Sequence, residues 1–144
     1  MTEHNGKPRL LIICRNQFGY HTDTYMYTKY LRDQYDITYV CIDNGRSKIA
    51  SENIEVLYAT SSHKNRFGRL IAFLRASIKA IRKSDIIFIK QFSGCFLLHP
   101  FANRKAVNLD VRTQSVATSR FHRMVENAFI YLDLAVYRHA SFVS

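Results

Sequence analysis

A chain of 144 residues has room for one domain, and its composition, 47% hydrophobic and 22% charged, is that of an ordinary globular protein rather than a disordered one. Its longest uncharged stretch, residues 91–103, falls short of the roughly 20 mainly apolar residues that a membrane-spanning helix takes, and residues 1–9 lack the apolar core and cleavage site of a signal peptide. The net charge of +10, from 21 basic against 11 acidic residues, draws anionic partners: nucleic acid, acidic lipid headgroups or phosphorylated small molecules.

Residues 9–14 (RLLIIC) form a short, nearly continuous apolar run, the pattern of a strand covered on both faces in a parallel sheet. A polar loop with one glycine follows, from Arg15 to His21, and then Thr22, Asp23 and Thr24 supply N-cap chemistry for a helix to about Gln34. Residues 36–42 (DITYVCI) read as a second strand closed by the turn Asp43-Asn44-Gly45-Arg46, and residues 53–58 as a shorter third. Between Lys64 and Lys83, Phe67, Leu70, Ile71, Leu74, Ile78 and Ile81 recur at spacings of three and four, which makes one apolar face of a helix. Residues 85–90 (DIIFIK) predict a fourth strand and residues 106–112 (AVNLDVR) a fifth. Phe121, Met124, Val125, Ala128, Leu132 and Ala135 mark the apolar face of a second amphipathic helix ending near His139, and residues 141–144 look like the opening of one more strand.

Strands alternating with helices at this spacing predict a Rossmann-like open parallel sheet with helices on both faces, a three-layer α/β fold. The stop at Ser144, inside an apparent strand, is expected of a piece cut from a longer protein.

In such a sheet, ligands bind at the carboxyl ends of strands near the point where strand order reverses. That rule selects the loop after the first strand, with Arg15, Asn16, Gly19, Tyr20, His21 and Thr22, and the end of the fifth, with Asp110, Arg112 and Thr113. The first loop meets a helix N-terminus, which favours anions and polar sugar oxygens. Neither GxGxxG nor GxxxxGK[ST] occurs in it, and a turn glycine beside a surface histidine is the plainer reading. Asp110 and Arg112, two apart on a strand, share a face, either as a salt-bridged pair at a sheet edge or as a carboxylate and a guanidinium lining a crevice.

Cys14, Cys41 and Cys95 are expected to be buried thiols, and neither the six histidines nor the cysteines are spaced as zinc ligands, so no metal is expected. The basic residues from Lys64 to Lys83 make either a solvated helix face or a contact with an anionic membrane. Nucleic acid is not expected, because no helix-turn-helix, zinc-finger or RNP pattern appears and no aromatic stacking platform interleaves with the basic residues.

The element order, together with residues 18–24 (FGYHTDT), 30–39 (YLRDQYDITY) and 109–116 (LDVRTQSV), resembles the N-terminal domain of GT-B fold glycosyltransferases, family 4 of the retaining enzymes in particular. The resemblance implies an acceptor-side domain over residues 1–144, with a second Rossmann-like domain, absent from this chain, that binds the nucleotide-sugar donor and carries a Glu-x7-Glu signature. It implies no metal or other cofactor, a sugar or lipid-linked acceptor, and no transfer by this chain alone. Many relatives place a histidine or aspartate after the fifth strand, facing the donor sugar. Asp110 stands in that region and is assigned the catalytic-side role, with Arg15, Asn16, Gly19, Tyr20, His21, Thr22, Arg112 and Thr113 on the acceptor side. The setting it implies is bacterial cell-surface polysaccharide or glycolipid synthesis, in the cytoplasm or peripherally on the inner face of the membrane. The competing class is a non-catalytic flavodoxin-like module that recognises a phosphorylated ligand.

Overall fold

The structure, a computed structural model, describes residues 6–60, 65–102, 105–111, 119–138 and 142–143. Its strands are β1 (Arg9–Ile13), β2 (Asp36–Ile42), β3 (Ile54–Ala59), β4 (Ile86–Lys90), β5 (Ala106–Asp110) and β6 (Phe142–Val143). Its helices are α1 (Thr22–Leu31), α2 (Arg66–Ile81), a 3-10 turn (Cys95–Leu98) that runs into α3 (His99–Ala102), and α4 (Arg120–Val136). The predicted strands and long helices are all present, within a few residues at each end. The turn and α3, hidden in an apolar stretch too short for periodicity to resolve, were not expected.

All the strand pairs are parallel, and the order is β3-β2-β1-β4-β5-β6. The chain therefore builds outward from β1 in one direction, then returns to the other side of β1 to lay down β4, β5 and β6. The alternation of strand side chains explains the layers. Leu11 and Ile13 of β1, Val40 and Ile42 of β2, and Ile87 and Ile89 of β4 enter one cluster with Phe73 and Ile81 of α2, Cys95 and Leu98 of the turn, and Tyr137. Leu10, Ile12, Ile37 and Tyr39 point the other way, into a cluster with Phe18 that Tyr25 and Leu31 of α1 and Ile49 of the β2–β3 connection cover. The result is a three-layer α/β fold of Rossmann type.

Two helices turn differently from their sequence pattern. On α2 the inward positions are Phe73, Ser77, Ala80 and Ile81, with Leu70, Leu74 and Ile78 packed at the margin, while Phe67 is exposed at the first turn. On α4 the difference is larger. Asp133 is buried, and Tyr137 just past the helix end with it, whereas Phe121, Met124 and Leu132 of the expected apolar face look outward. Periodicity identifies an apolar stripe but not which side of the helix meets the sheet, and here specific polar bonds decide it. Asp133 accepts hydrogen bonds from the Gln91 side chain at 3.0 Å and from the Phe96 backbone N–H at 2.9 Å, and the Tyr137 hydroxyl donates to the Cys95 carbonyl at 3.0 Å. These bonds fix the side of α4 that carries them against the loop after β4.

Candidate functional site

The reversal of strand order falls between β1 and β4, and an open cleft of about 620 Å³ lies at their carboxyl ends. Cys14, Arg15 and Asn16 from the β1 loop and Lys90, Gln91, Phe92 and Ser93 from the end of β4 form its floor. Asn44 after β2, Arg66 and Arg69 from the first turns of α2, and Glu126 and Ile130 from α4 form its walls.

Each basic side chain reaches this place for a local reason. Asn65 caps α2, its Oδ1 accepting from the Gly68 N–H at 2.8 Å, so the helix starts at the same edge of the sheet as the β1 loop. Arg69 crosses to the β2 loop, donating to the Asp43 carbonyl at 3.3 Å and to Asn44 Oδ1. Lys90 is the last residue of β4, and its Nζ lies 3.3 Å from the Asp110 carboxylate, itself buried at the end of β5. The Arg15 side chain is reached by solvent through the mouth of the cleft, yet the cleft walls remove part of its water, and Arg69 and Arg66 crowd it with like charge. Both effects, desolvation first, push the Arg15 guanidinium below its ordinary pKa range.

The electrostatics are unfavourable in a second way. The N-terminus of a helix carries partial positive charge and favours acidic residues. Helix α1 obeys this, with Asp23 in its first turn and Lys29 in its last. Helix α2 has no acidic residue in its first turn and places Arg66 and Arg69 there. Four basic side chains and a helix N-terminus thus meet in one cleft whose single acidic lining residue, among the described residues, is Glu126. Asn16, Asn44, Gln91 and Ser93 add neutral donors and acceptors.

Of the residues singled out from the sequence, Arg15 and Asn16 line the cleft, and Asp110 stands behind its wall, joined to it through Lys90. The rest of the first loop turns away. Gln17 is buried and binds the β2–β3 connection, its Nε2 donating to the Arg46 carbonyl at 2.7 Å and its Oε1 accepting from the N–H groups of Asn44 and Arg46. Gly19 follows with φ at +85°, and a Cβ there would sit 2.2 Å from Ile49 Cδ1, so the turn takes glycine for its conformation and for space. The Tyr20 hydroxyl donates to the Ser47 carbonyl at 3.1 Å, and Arg46 stacks on its ring. His21, not one of the expected Thr22, Asp23 and Thr24, caps α1, its Nδ1 accepting from the Thr24 N–H at 3.4 Å, and Thr22 is the first residue of the helix. Gly19, Tyr20, His21 and Thr22 therefore shape the turn into α1 and do not line the cleft. Arg112 and Thr113 lie outside the described residues.

Arg66, Arg69 and Lys90 were missed as site residues. Arg66 and Arg69 were read as part of one basic helix face, although only Arg75, Lys79, Arg82 and Lys83 face away from the cleft as exposed groups. The available signal was a capping asparagine followed by arginines where a helix ordinarily begins with acids.

The three cysteines are free and buried. Burial pushes the Cys41 thiol up to about 11 and raises that of Cys95, so both stay protonated at neutral pH. Among the described residues no cluster of His, Cys, Asp and Glu is placed to hold a metal ion, and no helix is long and apolar enough to cross a membrane. No protein-family model, curated protein or solved structure matches the chain.

Proposed function

We propose that the chain is the acceptor-binding half of a sugar-nucleotide-dependent glycosyltransferase of bacterial cell-surface polysaccharide or glycolipid synthesis, and that its acceptor is a phosphorylated sugar held in the cleft between β1 and β4. The observation that carries this reading is the convergence of Arg15, Arg66, Arg69 and Lys90 at the strand-order reversal. Like charge crowded around Arg15 is a cost to the folded chain that an anionic ligand offsets. Guanidinium groups match phosphate oxygens with paired hydrogen bonds, and the neutral amides of Asn16, Asn44 and Gln91 with the Ser93 hydroxyl suit sugar hydroxyls. Glu126, across the cleft, is the acceptor for a sugar O–H.

In this reading Asp110 is a positioning residue. Its carboxylate holds the Lys90 ammonium at the floor of the cleft, and its contact with the reacting sugar runs through that lysine. The donor nucleotide sugar is held by a second domain, and this chain contributes acceptor orientation, bringing the attacking hydroxyl into line.

Calorimetric titration tests the ligand class. A sugar phosphate such as glucose 1-phosphate is expected to bind, with an affinity that falls as salt rises, and glucose is not. Equal heats from the two compounds would remove the reading. The second class, a non-catalytic module for a phosphorylated ligand, shares the same cleft. The gene separates the two: continuation into a second α/β domain with a Glu-x7-Glu signature supports the transferase, and an unrelated output domain supports the module.

A further inference from the structure

The layer formed by α2, the 3-10 turn, α3 and α4 differs from the rest of the surface in both charge and polarity. On α4, Phe121 is 66%, Met124 63%, Tyr131 67% and Leu132 43% exposed. With Ala128 and Ala135 they follow the three- and four-residue spacing of a single helix face, opposite the face that buries Asp133. Phe67 of α2 and Phe101 of α3 add exposed rings from the same layer. Six basic residues and no acidic one lie between Arg66 and Lys83, and Arg75, Lys79, Arg82 and Lys83 are exposed. Arg120 and Arg123 flank the apolar face of α4 itself. The opposite layer is balanced in charge, since α1 and the turn after it carry Asp23 and Asp33 beside Lys29 and Arg32.

We propose that this layer seats on an anionic lipid bilayer, with the outward face of α4 entering the headgroup region and the exposed basic residues of α2 lying against the lipid phosphates. Charge selects the occupant. A second copy of the chain seated face to face would bring basic surface against basic surface, whereas an anionic bilayer complements it. The distribution of the apolar residues agrees: the exposed ones cited stand on α2, α3 and α4, helices of the same layer. In the sequence, membrane contact is one of two readings of the basic residues from Lys64 to Lys83, but α2 turns most of its large apolar residues toward the sheet and leaves Phe67 exposed. Helix α4 supplies the anchor, and an amphipathic helix bound in the interface draws its affinity from buried apolar area and basic charge together. The inference does not depend on what fills the cleft.

Flotation of the 144-residue chain with vesicles of phosphatidylcholine alone, and with phosphatidylglycerol added, tests it. Binding to the anionic vesicles only, weakening as salt rises, is expected. Met124→Asp/Tyr131→Asp should reduce the bound fraction by roughly tenfold or more, and Arg75→Gln/Lys79→Gln by roughly fivefold per charge removed. These side chains are exposed, so circular dichroism melts should match wild type. Absence of binding, equal binding to neutral vesicles, or full binding by Met124→Asp/Tyr131→Asp would overturn the proposal. So would self-association in sedimentation equilibrium that the same double variant abolishes, which would make the face an interface between copies.

Discussion

The two edges of one sheet treat their charges in opposite ways. At the amino ends of the strands Arg9 and Lys105 each find partners within the chain. Arg9 of β1 grips Asp85, just before β4, with its Nη2 2.9 Å from Oδ1 and its Nε 3.2 Å from Oδ2. Lys105, just before β5, donates to the Ile81 carbonyl at 2.6 Å and to the Ser84 carbonyl, at and just beyond the end of α2. At the carboxyl ends Arg15, Arg66 and Arg69 crowd one another beside a helix N-terminus, while Lys90 pairs with Asp110 and Lys48 with Asp43. Charges at the first edge tie segments of the fold to one another. Those at the second, Arg15, Arg66 and Arg69, are crowded together, and it is this crowding that the proposed anion would relieve.

That difference makes graded predictions. The largest effect is on binding. Replacing two of the three cleft arginines in Arg15→Gln/Arg66→Gln should weaken a sugar phosphate by about 100-fold, since each hydrogen bond to a charged group is worth about 1.5–3 kcal/mol, and calorimetry reads it directly. Next is Asp133, the acid under the cleft, whose partners are an amide and a backbone N–H rather than the cations above it. Asp133→Ala leaves those buried donors unpaired and should cost about 2–4 kcal/mol of stability by urea denaturation, whether or not ligand is present.

Smaller effects belong to the amino edge. Lys105→Met removes donors from two carbonyls at the end of α2 and should cost about 1–2 kcal/mol in the same measurement. The Arg9 guanidinium holds the Asp85 carboxyl down at about 2. A depressed carboxylate contributes stability above its unfolded value of about 4, and the contribution is lost as pH falls through about 2. The melting temperature of Asp85→Asn should therefore lie slightly below wild type at neutral pH and converge with it between pH 4 and pH 2. A gap that stays constant across that range would show that the pair does not titrate as drawn.

How much of this the sequence disclosed follows from which forces are local. Strand β2 was legible residue for residue, because an apolar run bounded by a turn signal needs only its own neighbours to declare itself. The cleft at the carboxyl edge was legible from the fold rule, and Arg15 and Asn16 as part of its lining. Arg66 and Arg69 were not, because only the strand order brings the start of α2 beside the loop after β1, and that order is a property of pairing between distant segments. His21 and Tyr20 looked like site residues on the same loop. What removes them is a side chain, Gln17, that fastens the loop to the β2–β3 connection 29 residues away. The outward face of α4 escaped for a similar reason, since Asp133 finds its donors on another element.

The most direct test compares melting temperatures of wild type and Arg15→Gln/Arg66→Gln, each without and with a sugar phosphate. If the cleft arginines serve an anion and not the fold, the variant melts at or above wild type without ligand. The ligand should then stabilise only wild type, by about 2.7 kcal/mol at a hundredfold excess over Kd. A variant that melts well below wild type without ligand, and gains as much from the sugar phosphate, would show that these arginines hold the chain together and that the anion binds elsewhere.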